Sequence, residues 1–219
     1  AQIVKQQLHN KPIVVVSALK DVTNLLLTLP KQTKQEQENT LNKIQELHIK
    51  LINEVWQENS ANKISDYIFN NILKIKKLLT DICTAEKLDE IISYGEIMSS
   101  YIIAKAIKLY TCSSQQIIAT EIIETNSNFG NAEYLITPTK KKINNILIPL
   151  IKQKIVPIVT GFIGATQDGK ITTLGRGGSD YSASIIGSCI QANEIQIWTD
   201  VSGVYSADPK KDPEATLYS

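Results

Sequence analysis

The stretch that decides the fold is Ile155-Val156-Pro157-Ile158-Val159, then Gly175-Arg176-Gly177-Gly178-Ser179-Asp180, then Ile195-Gln196-Ile197-Trp198. The first part is a short β-branched run, the pattern of a strand buried on both faces. The glycine-rich part opens a helix that runs through about Ala192, and 195–198 reads as the next strand. Upstream, a helix over roughly 139–153 leads into the first strand, and Gln167-Asp168-Gly169-Lys170 carries the Asp-Gly signal of a hairpin turn. Strands alternating with helices predict an α/β sandwich around a mostly parallel, open sheet.

Further out, residues 2–9 read as the end of a helix, and Pro12 introduces Ile13-Val14-Val15-Val16, a second strand of the doubly buried kind. It ends in Ser17-Ala18, with Thr23-Asn24 a few residues on and an apolar helix start at Leu25. From about 40 to 108 the pattern is helical. One stripe runs through Leu41, Ile44, Leu47, Leu51, Ile52 and Val55. A second takes Ile64, Ile68, Ile72, Ile75, Leu79 and Ile82, and a third Leu88, Ile91, Ile92, Met98, Ile102 and Ala106. Such stripes are core-facing helix surfaces, so a helical sub-region beside the sheet is expected.

Composition limits the function. The 219 residues, 42% of them apolar, suffice for one sizeable core with a small helical annex. Net charge is +1, from 23 basic and 22 acidic residues. No basic stripe suits nucleic acid or an acidic membrane, and Lys140-Lys141-Lys142 reads as a solvated helix start. No apolar run reaches the ~18 residues of a membrane span. Cys83, Cys112 and Cys189 are odd in number and far apart, which predicts a reduced, cytoplasmic protein. His9 and His48 lie in polar helical stretches away from any Cys or acidic cluster, so neither zinc nor a histidine-activated nucleophile is expected.

Glycine locates the chemistry. None precedes Gly95, and eight of the ten follow residue 160, so close backbone approach to a ligand belongs late in the chain. In Thr172-Thr173-Leu174-Gly175-Arg176-Gly177-Gly178-Ser179-Asp180, three glycines and a hydroxyl residue open a helix. The exposed N–H groups and positive helix end there favour an anion, and Arg176 adds a fork that suits carboxylate or phosphate. The plain alternative is a turn with Ser179 or Asp180 as N-cap. The spacing fits neither a Walker A loop nor G-x-G-x-x-G.

Thr199-Asp200, Tyr205 and Lys210 lie in the polar loop after the last strand, where ligands of open α/β sheets bind. Tyr205 could cover a base, Thr199 and Asp200 bond base or ribose, and Lys210 meet phosphate; each is also an ordinary loop residue. Glu96 follows Gly95 on an apolar helix, and either a solvated face or a ligand contact fits it; Ser17 and Thr23 are weaker candidates. This inventory suits transfer of a phosphoryl group to a carboxylate. Such an acceptor, with a pKa near ~4, is already ionised at neutral pH and needs no general base. Catalysis then rests on positioning and on neutralising charge.

These residues resemble a known family. Gly161-Phe162-Ile163-Gly164, Thr172 through Tyr181, Ile197-Trp198-Thr199-Asp200-Val201, Gly203-Val204-Tyr205 and Ala207-Asp208-Pro209 look like the signature of aspartate kinases, within the wider amino-acid kinase family. Val16-Ser17-Ala18 with Thr23-Asn24, Gly95-Glu96-Met98-Ser99, and Thr125-Asn126, Phe129-Gly130 and Ala132-Glu133 agree. The similarity covers nearly the whole chain and is greatest to the monofunctional, lysine-sensitive class. It implies a three-layer αβα sandwich and an enzyme that moves the γ-phosphate of ATP onto the side-chain carboxylate of L-aspartate. The product is 4-phospho-L-aspartate, at the first step of lysine, threonine and methionine biosynthesis.

The resemblance also implies roles. Thr23, Glu96, Arg176 and Ser179 hold aspartate, with Ser17 close by; Arg176 takes a carboxylate and Glu96 faces the ammonium. Asp180 organises cationic groups near the transferring phosphoryl and, with Arg176, forms the catalytic pair. Thr199, Asp200, Tyr205 and Lys210 line the ATP site, and Mg²⁺ is expected as the ATP counter-ion, held by phosphates and water without a protein cage. A homo-oligomer is expected of the full-length protein.

The chain departs from the family in several places. Lys20-Asp21 stand where a small residue and glycine are usual, Tyr94 replaces a histidine or arginine, and Lys210 replaces an arginine. The family's opening Lys-Phe-Gly-Gly-Thr-Ser loop does not precede Ala1, and its second phosphate-binding lysine and ACT domains would follow Ser219. Residues 1–219 therefore read as a kinase domain truncated at both ends and inactive alone. Two rivals stand beside this reading: an amino-acid kinase with another acyl acceptor, and a non-catalytic nucleotide-binding or regulatory protein on the same fold.

Overall fold

A computed structural model describes the chain except residues 81, 176, 200–202, 204, 205, 208–211, 213 and 217–219, and describes the backbone alone at 58 and 59. Its centre is strand β3 (Val156–Thr160), buried at all five residues. Strands β1 (Val14–Val16) and β2 (Ser114–Ile117) pair with it in parallel on either side. A proline in a central strand would ordinarily break the ladder. Here Val156 donates its N–H toward β2, to Ser113 O, and Gly161 donates toward β1, to Val16 O. Strand alternation therefore turns the Pro157 nitrogen toward β1, where pairing starts only at Val14↔Ile158. The missing donor falls outside the ladder.

The long helix α5 (Ala85–Tyr110) covers one face of this sheet; α6 (Ile136–Lys152) and α7 (Gly178–Ile190) cover the other. Side chains divide accordingly. Val14, Val16, Val156 and Ile158 pack with Ala104 and Ile107 of α5. Val15, Ile117 and Val159 pack with Ile143 and Leu147 of α6 and with Ile185 and Ile186 of α7. This is the expected αβα sandwich, with the crossover β2–α6–β3 joining parallel neighbours. Strands β4 (Ile163–Ala165) and β5 (Ile171–Thr173) form the antiparallel hairpin turned at Asp168-Gly169.

A short helix α1 (Gln2–Gln6) precedes β1, and α2 (Val22–Thr28) follows it. Helices α3 (Lys34–Val55) and α4 (Glu58–Leu78) then pack with α2 and α5 around a second core that includes Leu26, Ile44, Ile52, Ile68, Ile75, Ile91 and Met98. Thr33 and Glu36 close a capping box at the start of α3, and Thr84 caps α5 by accepting from Lys87 N–H. No helix among the described residues is long and apolar enough to cross a membrane.

Several expectations need correction. Residues 195–198 form no strand, and Ile195, Ile197 and Trp198 are exposed. Ile195 instead rests its side chain over Gly187 of α7. Ile13–Val16 is half-buried rather than fully buried, because β1 is an outer strand among the described residues. Ile82 lies beyond the end of α4 and is 87% exposed, so the second stripe stops at Leu79. His48 does not sit on a polar surface. It is wholly buried in α3 with Nδ1 2.7 Å from Ile44 O, and burial lowers its pKa. A neutral ring whose Nδ1–H donates to that carbonyl fits both facts. Lys142, half-buried within α6, is not simply solvated: it pairs with Glu124 at 2.7 Å.

The Lys20-Asp21 departure has a geometric outcome. Asp21 takes φ +69°, the left-handed region, at the N-cap of α2. The loop keeps a conformation that glycine adopts freely, and asparagine or aspartate tolerates at a cost.

Candidate functional site

The carboxyl ends of β1 and β3 open onto α5 and the start of α7. Gly95 on α5 makes the first approach possible. A Cβ there would stand 2.9 Å from Ala18 Cβ and 3.4 Å from Val22 and Leu26 side chains, so only glycine lets the 18–26 segment lie on the helix. The next residue, Glu96, then reaches that segment. Its Oε1 accepts from Ala18 N–H at 3.3 Å, and its Oε2 is buried without a partner. Burial pushes this carboxyl up to about 7, against the pull of the Glu96 and Ala18 backbone N–H groups. A buried carboxylate oxygen without a partner suits a cationic donor, which would offset desolvation already incurred.

The second approach is at β3. Gly161 donates to Val16 O and so ties the strand end to β1. A Cβ at Gly161 would meet Ser179 Oγ at 2.6 Å and Ser179 Cα at 2.9 Å, so the start of α7 sits directly on the strand end. Phe162 follows at φ +67°, donates its N–H to Ser182 Oγ at 2.9 Å, and lays its ring against Gly178. Ser182 Oγ donates in turn to Gly178 O at 2.8 Å. Gly175 and Gly177 both take positive φ, and Gly178 N–H returns to Gly175 O at 3.1 Å. This tight turn leaves space beside Gly177, the N-cap at the positive end of α7.

One acidic residue was not singled out by the sequence. Asp89, 1% exposed, accepts from Gly130 N–H and Thr173 N–H at 2.8 Å through Oδ2, and from the Thr173 hydroxyl at 2.9 Å through Oδ1. Burial raises its pKa, while the three bonds pull it down. The signal was present: Asp89, Ser93, Glu96 and Ser100 recur at helical spacing and are all buried. They make a polar stripe on an otherwise apolar helix.

A model described as the amino acid kinase family matches residues 1–219. The chain belongs to the amino acid kinase family. Among its relatives, it is 30% identical over 202 residues to the lysine-sensitive aspartokinase 3 of Escherichia coli, covering 92% of this chain and 45% of that protein. It is 34% identical over 209 residues to the chloroplastic aspartokinase 3 of Arabidopsis thaliana, covering 91% and 37%. The crystal structure of E. coli aspartokinase III in complex with aspartate and ADP superposes with a TM-score of 0.88, at 27% identity, over 98% of this chain and 50% of that one. The chain thus spans half or less of the length of these relatives.

Within this amino acid kinase fold, the sequence-derived candidates divide in three. Ser17, Glu96 and Ser179 are joined by direct steps: Ser17 lies between Val16 and Ala18, which bond Gly161 and Glu96, and Gly161 lies under Ser179. Thr23 is half-buried in the first turn of α2, beside Val22, and Asp180 is exposed in the first turn of α7. Thr199 is exposed in the segment after α7. Arg176, Asp200, Tyr205 and Lys210 lie outside the described residues.

Proposed function

We propose that the protein containing this chain is an aspartate kinase, transferring the γ-phosphate of ATP to the side-chain carboxylate of L-aspartate. The observation that carries the reading is Glu96, a buried carboxylate with one unpartnered oxygen, linked through Ala18 and the end of β1 to Gly161, which lies against Ser179 at the start of α7. An acid on one side and an anion-binding turn on the other suit an amino acid, with its ammonium at Glu96 and its carboxylates at the turn. The similarity to aspartokinases, one of them solved with aspartate and ADP, supports the same substrates here.

In this reading Glu96 holds the ammonium, and Ser17, Thr23, Ser179 and Arg176 orient the carboxylates. The acceptor carboxylate is already ionised, so these groups need only hold it in line. Asp180, exposed on the first turn of α7, organises the cations that gather at the transferring group. Thr199, Asp200, Tyr205 and Lys210 are assigned to ATP. Among the described residues no three His, Cys, Asp or Glu side chains converge. We assign Mg²⁺ to the ATP phosphates and water, where it neutralises phosphate charge.

The test is ADP release by the purified full-length protein, with Mg·ATP and L-aspartate, and hydroxylamine to trap the acyl phosphate. Aspartate-dependent ADP release with matching hydroxamate is expected. Turnover with another amino acid alone would replace the acceptor, and nucleotide binding without turnover on any amino acid would make the protein a non-catalytic relative.

A further inference from the structure

Asp89 bonds to none of Ser17, Glu96 and Ser179, yet all three of its hydrogen bonds go to segments that lead to the turn opening α7. Thr173 is the last residue of β5, and its inner side pairs with Ile163 of β4. On its outer side no strand follows among the described residues. Its carbonyl instead accepts from Ala132 N–H at 2.8 Å, and its N–H and hydroxyl both go to Asp89. Asp89 thus replaces a neighbouring strand at the point where β5 ends.

Two residues later comes Gly175 in the left-handed region, the first residue of the turn that opens α7. A second path reaches the same glycine. Asp89 also holds Gly130 N–H, and the adjoining Asn131 lays its side-chain oxygen against Gly175. Both supports of Gly175 converge on one carboxylate. That carboxylate lies on α5 seven residues before Glu96, or about two turns and ~10 Å along the axis.

We propose that Asp89 is a positioning residue for the turn 175–178, acting through Thr173 and Gly130 to fix the turn relative to Glu96. The proposal rests on the aspartate kinase reading for its kinetic consequence, though not for its structural one. A carboxylate suits the task because one oxygen can accept from two backbone N–H groups while the other takes a hydroxyl. Held from the helix that carries Glu96, the turn keeps a constant distance from the ammonium site. Small displacements of groups that orient a substrate cost rate even when binding elsewhere is intact.

The experiment compares the full-length protein with its Asp89→Asn and Thr173→Ser variants. Asparagine keeps the shape and can still accept at Gly130 and Thr173 N–H, with its amide facing the Thr173 hydroxyl, so the fold survives while the charged acceptor is lost. Asp89→Asn is expected to raise KM for aspartate, or lower kcat/KM for it, about tenfold with KM for ATP within about threefold. Hydrogen exchange should quicken at amides 173–178 while those of β3 keep their protection. Thr173→Ser, which retains the hydroxyl, should restore wild-type kinetics and exchange. Unchanged exchange at 173–178 in Asp89→Asn overturns the proposal, as does an equal rise in both KM values. If the wild-type protein does not phosphorylate aspartate, the functional reading fails, and exchange alone decides the role of Asp89.

Discussion

Glu96 ionises near 7 in the folded chain and near 4.5 when unfolded. Between those values the native state holds one more proton, so its stability falls as pH rises. The contribution is full below about 4.5 and lost through about 7. Glu96→Gln removes this loss, and urea titration of the ligand-free protein at pH 8 should find the variant more stable by on the order of 3 kcal/mol. Aspartate binding should show the opposite slope. Only the ionised carboxylate pairs with an ammonium, so affinity should rise from pH 6 to pH 8 in the wild type and stay flat in Glu96→Gln. Titration calorimetry showing equal affinity for both proteins at pH 8 would remove the ammonium role. Asp21, at φ +69°, gives a simpler expectation. Asp21→Gly relieves a left-handed strain of roughly 1–2 kcal/mol and adds unfolded-state freedom worth roughly 0.4–1. A small net gain in melting temperature should follow, and a loss would mean that the carboxylate itself supports the loop.

At the scale of elements, Gly161→Ala tests the seating of α7 on β3. The new methyl would press on Ser179 Cα as well as its side chain, so no rotamer change relieves it. Destabilisation of about 1–3 kcal/mol is expected, with weaker aspartate binding, since Ser179 moves with its helix. Thermal melts and calorimetry on one sample read both effects. Elements with a clear apolar period were legible in sequence: β3, the hairpin at Asp168-Gly169 and the stripes of α3 to α5. β2 was not, because Ser-Gln-Gln-Ile has one apolar residue, and Gln116 faces α5 to donate to Ile97 O and Ser100 Oγ. Residues 195–198 failed for the converse reason: their β-branched character promises a strand, but the segment is exposed and pairs with none of the described strands. In the site, the glycine-rich turn was legible from type and spacing, whereas residue type left Glu96 between a solvated face and a ligand contact, and its burial removes the first. Asp89 was not legible, because two of its three partners are backbone groups and all lie 41 or 84 positions away, where no local spacing announces them.

At the scale of the molecule, α5 belongs to both cores: Met98 and Ile91 enter the helical one, Ala104 and Ile107 the one beneath the sheet. The two should therefore unfold together. Ile68→Ala on α4, a fully buried position, should cost about 2–5 kcal/mol. Trp56 fluorescence, which reports the helical core, should shift its midpoint in step with far-UV circular dichroism. Separate transitions would show that the helical layer melts on its own. The vacant oxygen of Glu96 gives this shared helix a thermodynamic consequence. Binding and unfolding are linked, so whatever ammonium compound satisfies that oxygen must raise the unfolding free energy of every part that melts with α5. The coupling is reciprocal: loosening α3 or α4 must weaken the hold on that compound wherever it disturbs the bound state more than the free one. Selection for affinity would then act on the interior of the helical layer as well as on the residues that line the cavity.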